Sequence, residues 1–165
     1  MFAVWHGRQP SGAPARAIFD NRPTPDSALA GSLSRMDRAG RTPLHYAAVD
    51  GSLDEVSRLL AEGSDPDAAD AQGFVALHFA AQQFQPEVVE RLLAAGATVD
   101  VANAFGNTPL WTAVFTSRGR GEVIALLRAA GADPSHANHA GRSPVDLARI
   151  IANWDVVQYF ADLAE

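Results

Sequence analysis

The sequence predicts an all-α solenoid of four stacked helix-turn-helix repeats, each introduced by a short β-turn finger. Three observations support this prediction. Similar segments start at Asp37, Asp70, Asn103 and Asn138, which are 33, 33 and 35 residues apart. Each repeat holds two short apolar stretches with helical spacing. Turn residues separate these stretches, so one repeat can bury its apolar face only by stacking on its neighbours.

Four segments align when the chain is cut at this period. They read DRAGRTPLHYAA, DAQGFVALHFAA, NAFGNTPLWTAV and NHAGRSPVDLAR. Each leads into a second apolar stretch, and a glycine ends the first three of these stretches. We therefore expect repeats at 37–69, 70–102, 103–137 and 138–165. The third repeat carries a two-residue insertion, and the fourth is expected to cap the C-terminal end of the stack.

The residue types explain the elements of each repeat in order. Gly40 suits a tight turn because glycine tolerates positive φ. Thr42 is placed to cap the first helix, as are Thr108 and Ser143 in later repeats. Proline follows each of these residues at the first helical position, where a missing N–H costs nothing. Gly63 suits the left-handed residue that commonly ends a helix.

Spacing also predicts the core. The first helix should bury Leu44, Ala47 and Ala48, and the second should bury Val56, Leu59 and Leu60. The same periodicity predicts that three residues of the first helices, Tyr46, Phe79 and Leu147, are core residues. Near the C-terminus, Trp154 and Tyr159 are expected to cover the last helix pair, with a second contact surface as the alternative.

These features resemble the ankyrin repeat family. The resemblance rests on G-x-T-P-L-H-x-A-A from Gly40 to Ala48, on the 33-residue period, and on the L-L-x-x-G pattern. It covers residues 37–165. It implies L-shaped units whose fingers project at right angles from two antiparallel helices, with a concave face made by the fingers and the first helices. It also implies protein binding through that face and no catalysis.

The chain departs from the family pattern at informative places. The second repeat has Val75 and Ala76 in place of Thr-Pro, so its first helix lacks a hydroxyl cap. His45 and His78 match the histidine that usually holds the turn in this family, but the third repeat has Trp111 there. An indole cannot accept a hydrogen bond. Trp111 should therefore either pack sideways or contact a partner.

The first 36 residues differ from the repeats. They contain four of the ten prolines and carry a charge of +2 (four Arg, two Asp), whereas the remainder carries −8 (nine Arg, 17 acids). We expect an irregular leader at 1–36 with a short helix at 27–34 that could cover the first repeat. Met36 could also be the true start of translation.

Composition excludes several classes of protein. There is no Cys in the 165 residues, so disulfides and cysteine-based metal sites are impossible. The net charge of −6 argues against nucleic-acid binding. No apolar run approaches the ~18 residues that span a bilayer, and the N-terminus does not read as a secretory signal. We expect a cytoplasmic protein that does not bind membranes and is monomeric when unbound.

The sequence shows no motif of an enzyme, so we expect no catalysis, no cofactor and no metal site. His136 and His139 lie three residues apart, but exposed turn histidines explain them better than a metal does.

We expect a protein partner to contact exposed positions on the fingers and first helices. Aromatic residues concentrate there in the second and third repeats, and arginines flank them, as is common at interface hot spots. The alternative is that some of these rings pack on neighbouring repeats and only stabilise the stack. The candidate residues are Arg38, Arg41, Gln72, Phe74, Gln82, Gln83, Phe105, Asn107, Trp111, Phe115, His139 and Arg142.

The predicted function is a non-catalytic protein-protein interaction module. One specific form is an inhibitor or immunity protein for a toxin or enzyme, and the acidic charge would then suit a basic target. The alternative is a structural scaffold or adaptor tethered through the leader at 1–36.

Overall fold

The computed structural model describes residues 36–151 and 156–163. These residues belong to one compact unit, 31–165. Except for Met36, the expected leader with its helix at 27–34 lies outside the described residues, and so does Trp154. None of the helices in the described ranges has the length and apolar character needed to cross a bilayer.

Seven α-helices and one terminal 3₁₀ helix form the described part of the chain. The α-helices are α1 Pro43–Asp50, α2 Leu53–Ala61, α3 Ala76–Gln82, α4 Pro86–Ala94, α5 Pro109–Thr116, α6 Glu122–Ala129 and α7 Pro144–Ile150. The 3₁₀ helix spans Val157–Leu163. The first helices of the repeats (α1, α3, α5 and α7) pack in one row, and the second helices (α2, α4 and α6) pack in another. This arrangement confirms the predicted all-α repeat solenoid.

The core lies between the two rows of helices. Leu44, Ala48, Val56 and Leu59 of the first repeat are buried, as predicted, and their counterparts in the second and third repeats are buried too. Leu60, also expected in the core, is only half-buried. Small alanines on the first helices let these helices approach closely. Because this core extends through every junction, each repeat depends on its neighbour for burial.

Two of the three predicted side-chain helix caps form in the structure. The hydroxyls of Thr108 and Ser143 each accept from the backbone N–H three residues later, as predicted. Thr42 differs, because its hydroxyl lies 3.0 Å from the ring nitrogen Nδ1 of His45. The side chain of Val75 has no oxygen and cannot cap its helix, but its backbone N–H donates to Nδ1 of His78 at 3.2 Å, as the N–H of Thr42 donates to His45.

The prediction that Tyr46 is a core residue was wrong. Its side chain is 45% exposed, whereas Phe79 at the equivalent position of the second repeat is only 6% exposed. The first repeat covers Phe79, with the His45 ring packed edge-on against it at 5.5 Å. Within the described residues no repeat precedes Tyr46, and its hydroxyl donates to the carboxylate of Asp37. Leu147 is half-buried against the core.

The loops that join α3 to α4 and α5 to α6 contact each other. Phe84 adopts a left-handed backbone conformation with φ 56°, which is rare for a bulky residue. The guanidinium of Arg120, next to the two-residue insertion, lies 3.9 Å from the centre of the Phe84 ring. The insertion therefore contacts the neighbouring loop through Arg120, and both Arg118 and Arg120 are exposed.

Candidate protein interface

The fingers and the first helices form one continuous surface, which we call the finger face. Each finger is a β-turn, in which the glycine N–H donates to the carbonyl three residues earlier. Neighbouring fingers are tied by single backbone bonds, from Ala71 to Ala39 at 2.9 Å, from Ala104 to Gln72 at 2.8 Å and from His139 to Phe105 at 3.0 Å. These bonds fix the spacing of the fingertips.

The first residue of each finger closes the turn with its side chain. The Oδ1 atom of Asp70 accepts from the N–H groups of Gln72 and Phe74, both at 2.9 Å. The Oδ1 atom of Asn103 accepts in the same way from Phe105 and Asn107. Asp and Asn can both do this because each carries an acceptor oxygen, Oδ1, three bonds beyond its Cα.

A second set of side chains connects successive fingers. Arg41 donates to the carboxylate of Asp70 at 3.5 Å, and Asn138 donates to the amide oxygen of Asn107 at 2.8 Å. Phe74 occupies the position equivalent to Arg41, and its ring packs 5.6 Å from that of Phe79. Arg41, Phe74 and Asn107 are therefore half-buried between fingers, although the sequence suggested that all three would be exposed.

Two buried histidines join the first three repeats. The Nε2 atom of His45 lies 3.0 Å from the carbonyl oxygen of Phe74, and that of His78 lies 2.9 Å from the carbonyl oxygen of Asn107. Because Nδ1 of each ring accepts a backbone N–H, Nε2 carries the proton and donates. Burial lowers the pKa of both rings, that of His78 to about 4. Both histidines are therefore neutral near pH 7 and structural.

Trp111 replaces this histidine in the third repeat and behaves differently. Its ring is half-buried and stacks on the ring of Phe115, with centroids 5.3 Å apart and planes inclined by 16°. The indole N–H is buried and has no hydrogen-bond partner in the described ranges. The carbonyl of Arg142 corresponds to the two histidine acceptors and, like them, accepts an N–H from the first residue of its own finger, but no ring of the preceding repeat donates to it within the described residues. The third repeat thus carries a stacked aromatic pair where the first two carry a histidine that hydrogen-bonds to the next repeat.

The remaining candidates divide by exposure. Phe105 is 54% exposed at a fingertip and Phe115 is 62% exposed on α5. Six polar candidates are also exposed, namely Arg38, Gln72, Gln82, Gln83, His139 and Arg142. The alternative that rings only stabilise the stack therefore describes Phe74 well and describes Phe105 and Phe115 poorly.

Sequence reasoning missed Ile150, which is 56% exposed at the end of α7. It lies 35 residues after Phe115, at the equivalent position of the next repeat. The alignment of the repeats places Ile150 opposite Phe115, and this equivalence could have identified Ile150 as a candidate. Arg149, beside it, is also exposed.

Charge is distributed unevenly between the two sides of the stack. The second helices carry five acids, and the links between repeats carry four more. These residues are Asp54, Glu55, Glu87, Glu90 and Glu122, and Asp65, Asp67, Asp100 and Asp133. The middle of the finger face, from Gln72 to Phe115, presents amides and aromatic rings. Most of the acidic excess therefore lies away from the finger face.

Comparison with known proteins bears on the repeat architecture. A family model for ankyrin repeats matches the chain in three copies, at residues 26–103, 44–138 and 77–163. The first match begins eleven residues before Asp37, where the repeat alignment starts (37 − 26 = 11). A search of curated proteins finds no match. In the described residues, no group of three or more His, Asp or Glu side chains could hold a metal ion.

Proposed function

Because the chain belongs to the ankyrin repeat family, we propose that it binds another protein through the finger face, centred on the third repeat. Ankyrin repeats generally mediate protein-protein interactions and are typically non-catalytic modules. The observation that carries the proposal is the exposure of Phe105 and Phe115 on a single repeat. Their counterparts in the second repeat are Gln72 and Gln82, so apolar surface is concentrated at one place.

Two physical arguments support this site. Exposed aromatic side chains gain much from burial by a partner because each ring offers a large apolar area, and aromatics are enriched at interface hot spots. The fingers are also held by backbone bonds before any partner arrives. A preorganised surface loses less conformational entropy on binding than a mobile one.

An inhibitor or immunity protein for a toxin or enzyme is the specific form that we propose. A rigid face with a central aromatic patch is suited to covering an active site or a substrate-binding surface. The charge distribution lends no support to a basic target at the finger face, because most acids lie elsewhere. The alternative of a tethered scaffold depends on the leader, which lies almost entirely outside the described residues.

A comparison of variants tests the site. The double variant Phe105→Ala/Phe115→Ala should lose the proteins that the wild-type chain captures from lysate of the source cells, as identified by quantitative mass spectrometry. Tyr46→Ala is a matched control, since it also removes an exposed ring from a first helix. Its capture profile should equal that of the wild type.

Thermal unfolding distinguishes binding residues from structural ones. Loss of the exposed Phe105 ring should change stability by about 0.5 kcal/mol or less, and loss of the stacking of Phe115 on Trp111 should cost about 0.5–1.5 kcal/mol, so the double variant should remain folded and lose at most about 2 kcal/mol. Unchanged capture by the double variant would contradict the proposed site. A large loss of stability would identify the two rings as part of the packed structure.

A further inference from the structure

An exposed apolar row continues from the third repeat into the fourth. Phe115 on α5 and Ile150 on α7 occupy equivalent positions of helices that pack on each other. Both side chains are more than half exposed. The corresponding residue of the second repeat is Gln82, so the apolar row begins at the third repeat.

The arginines of the described residues fall into two groups. Five of the nine are engaged, since Arg41 pairs with Asp70, Arg58 with Glu55 and Glu62, Arg91 with Ser57, Arg120 with Phe84, and Arg128 with Asp162. The side chains of the other four (Arg38, Arg118, Arg142 and Arg149) make no hydrogen bond or ion pair within the described part of the chain.

Two of these unengaged arginines belong to the fourth repeat, beside the apolar row. Arg142 ends the fourth finger, and Arg149 precedes Ile150 on α7. The pKa of the nearby Asp146 carboxylate is lowered chiefly by its hydrogen bonds with Ser143, and the charges of Arg149 and Arg142 lower it further. Asp146 accepts from the hydroxyl of Ser143 at 2.6 Å. Among the described residues, two guanidiniums and one carboxylate that is already hydrogen-bonded give this end of the finger face a net positive charge.

We propose that the partner segment docking on the finger face is acidic, with apolar side chains over Phe115 and Ile150 and carboxylates that pair with Arg142 and Arg149. This inference rests on the proposed function and names the chemistry of its partner. Exposed guanidiniums that make no ion pair with the described residues are available to carboxylates of a partner, and planar Arg pairs with a carboxylate in two-pronged geometry.

The charges on the opposite side of the stack would help to orient an acidic partner segment. The acidic second helices repel an acidic segment, while the positive end of the finger face attracts it. Such complementarity steers the encounter and disfavours wrong orientations. The net charge of the whole chain is −6, yet the docking site selects a partner segment of the same sign.

Selection of peptides by the intact chain tests the proposal without a known partner. A random peptide library displayed on phage is panned against the immobilised wild-type protein, with counter-selection against Phe115→Ala/Ile150→Ala. We expect the enriched peptides to contain apolar residues next to Asp or Glu. A synthetic version of the most enriched peptide is then measured by fluorescence anisotropy.

Matched charge variants give the quantitative result. Arg142→Gln and Arg149→Gln should each weaken peptide binding up to about fivefold, because an exposed ion pair contributes up to about 1 kcal/mol. Arg118→Gln removes an equally unengaged arginine from the α5–α6 loop and should leave affinity unchanged. Added salt should weaken wild-type binding more than Arg142→Gln binding.

The outcomes separate this proposal from the proposed function. Enrichment of basic or uncharged peptides that still require Phe115 would overturn the acidic partner and retain the finger face. Peptides that bind the Phe115→Ala/Ile150→Ala variant equally well, or no enrichment at all, would count against the face itself. Sedimentation should show a monomer, since a dimer lost on Phe115→Ala would make a second copy of this chain the occupant.

Discussion

Lowering the pH from about 7 to about 5 should weaken the junction that His78 makes between the second and third repeats. The ring is fully buried, its Nδ1 accepts from Val75, and its Nε2 donates to the carbonyl of Asn107. Protonation would place a second donor against the N–H of Val75, so the native state resists it. Burial lowers the pKa of His78 from 6.5 to about 4.

The sign follows from proton binding. Between the unfolded and folded pKa values the unfolded chain binds more protons, so its share grows as the pH falls. The stability from neutral His78 is complete above about pH 6.5 and is lost progressively down to about pH 4. One pKa unit corresponds to about 1.4 kcal/mol, which makes the full loss about 3 kcal/mol and the loss at about pH 5 roughly 2 kcal/mol.

Urea unfolding followed by circular dichroism at several pH values measures this loss. His78→Gln is the matched variant, because the amide can donate and accept but does not titrate in this range. It should be less stable than the wild type near neutral pH and should lose less stability on acidification. His45, whose pKa burial also lowers, should contribute the remaining dependence in both proteins.

The carboxylates with lowered pKa values do not account for a loss of stability between about pH 7 and 5. Asp37, Glu55, Asp146 and Asp162 have lowered pKa values, so their contributions disappear only as the pH falls further, below their unfolded values near 4. Equal slopes of stability against pH for the wild type and His78→Gln between about pH 7 and 5 would refute the reasoning, as would a flat wild-type profile.

Two further substitutions probe the third repeat. Trp111→His should add a bridge to the carbonyl of Arg142 and raise the free energy of unfolding by about 1 kcal/mol in urea titrations, while reducing partner binding; a less stable variant would show that the bridge cannot form there. Gly121→Ala should destabilise by about 1–3 kcal/mol because its Cβ would overlap the ring of Tyr159. The double variant Gly121→Ala/Tyr159→Ala should lose less than the sum of the single changes, and strict additivity in thermal unfolding would contradict the clash.

The fold could be predicted because the motif occurs four times. Comparing the four copies identifies the turns, the helix starts and the buried face of each helix. The same comparison failed for Tyr46 and Phe79, which share a position and differ in burial. Periodicity reports which side of a helix a residue occupies, and burial depends on whether another repeat covers that side. The rule therefore holds for Phe79, which a preceding repeat covers, and fails for Tyr46 in the first described repeat.

The sequence predicted that aromatic residues would lie on the fingers and first helices, but it did not predict which of them would be exposed. Phe74, Phe105 and Phe115 appear equally suitable in the sequence, yet the structure packs Phe74 against Phe79 and leaves the other two exposed. The difference arises from contacts between neighbouring fingers, which a single-repeat alignment does not contain. That Arg142 and Arg149 make no ion pair within the described residues likewise depends on where the carboxylates of those residues lie in three dimensions.

The third repeat lacks a stabilising hydrogen bond and has a larger exposed aromatic surface than the first two repeats. Replacing the histidine by Trp111 gives up the bridge that His45 and His78 make and leaves an indole N–H buried without a partner in the described residues, which costs about 1–3 kcal/mol. The hydrogen bond from Asn138 to Asn107 offsets part of this loss at the neighbouring position. In return, α5 gains a ring that supports Phe115 from one side and leaves the rest of it exposed. A substitution that weakens a junction and enlarges an exposed aromatic patch is better explained by binding than by folding.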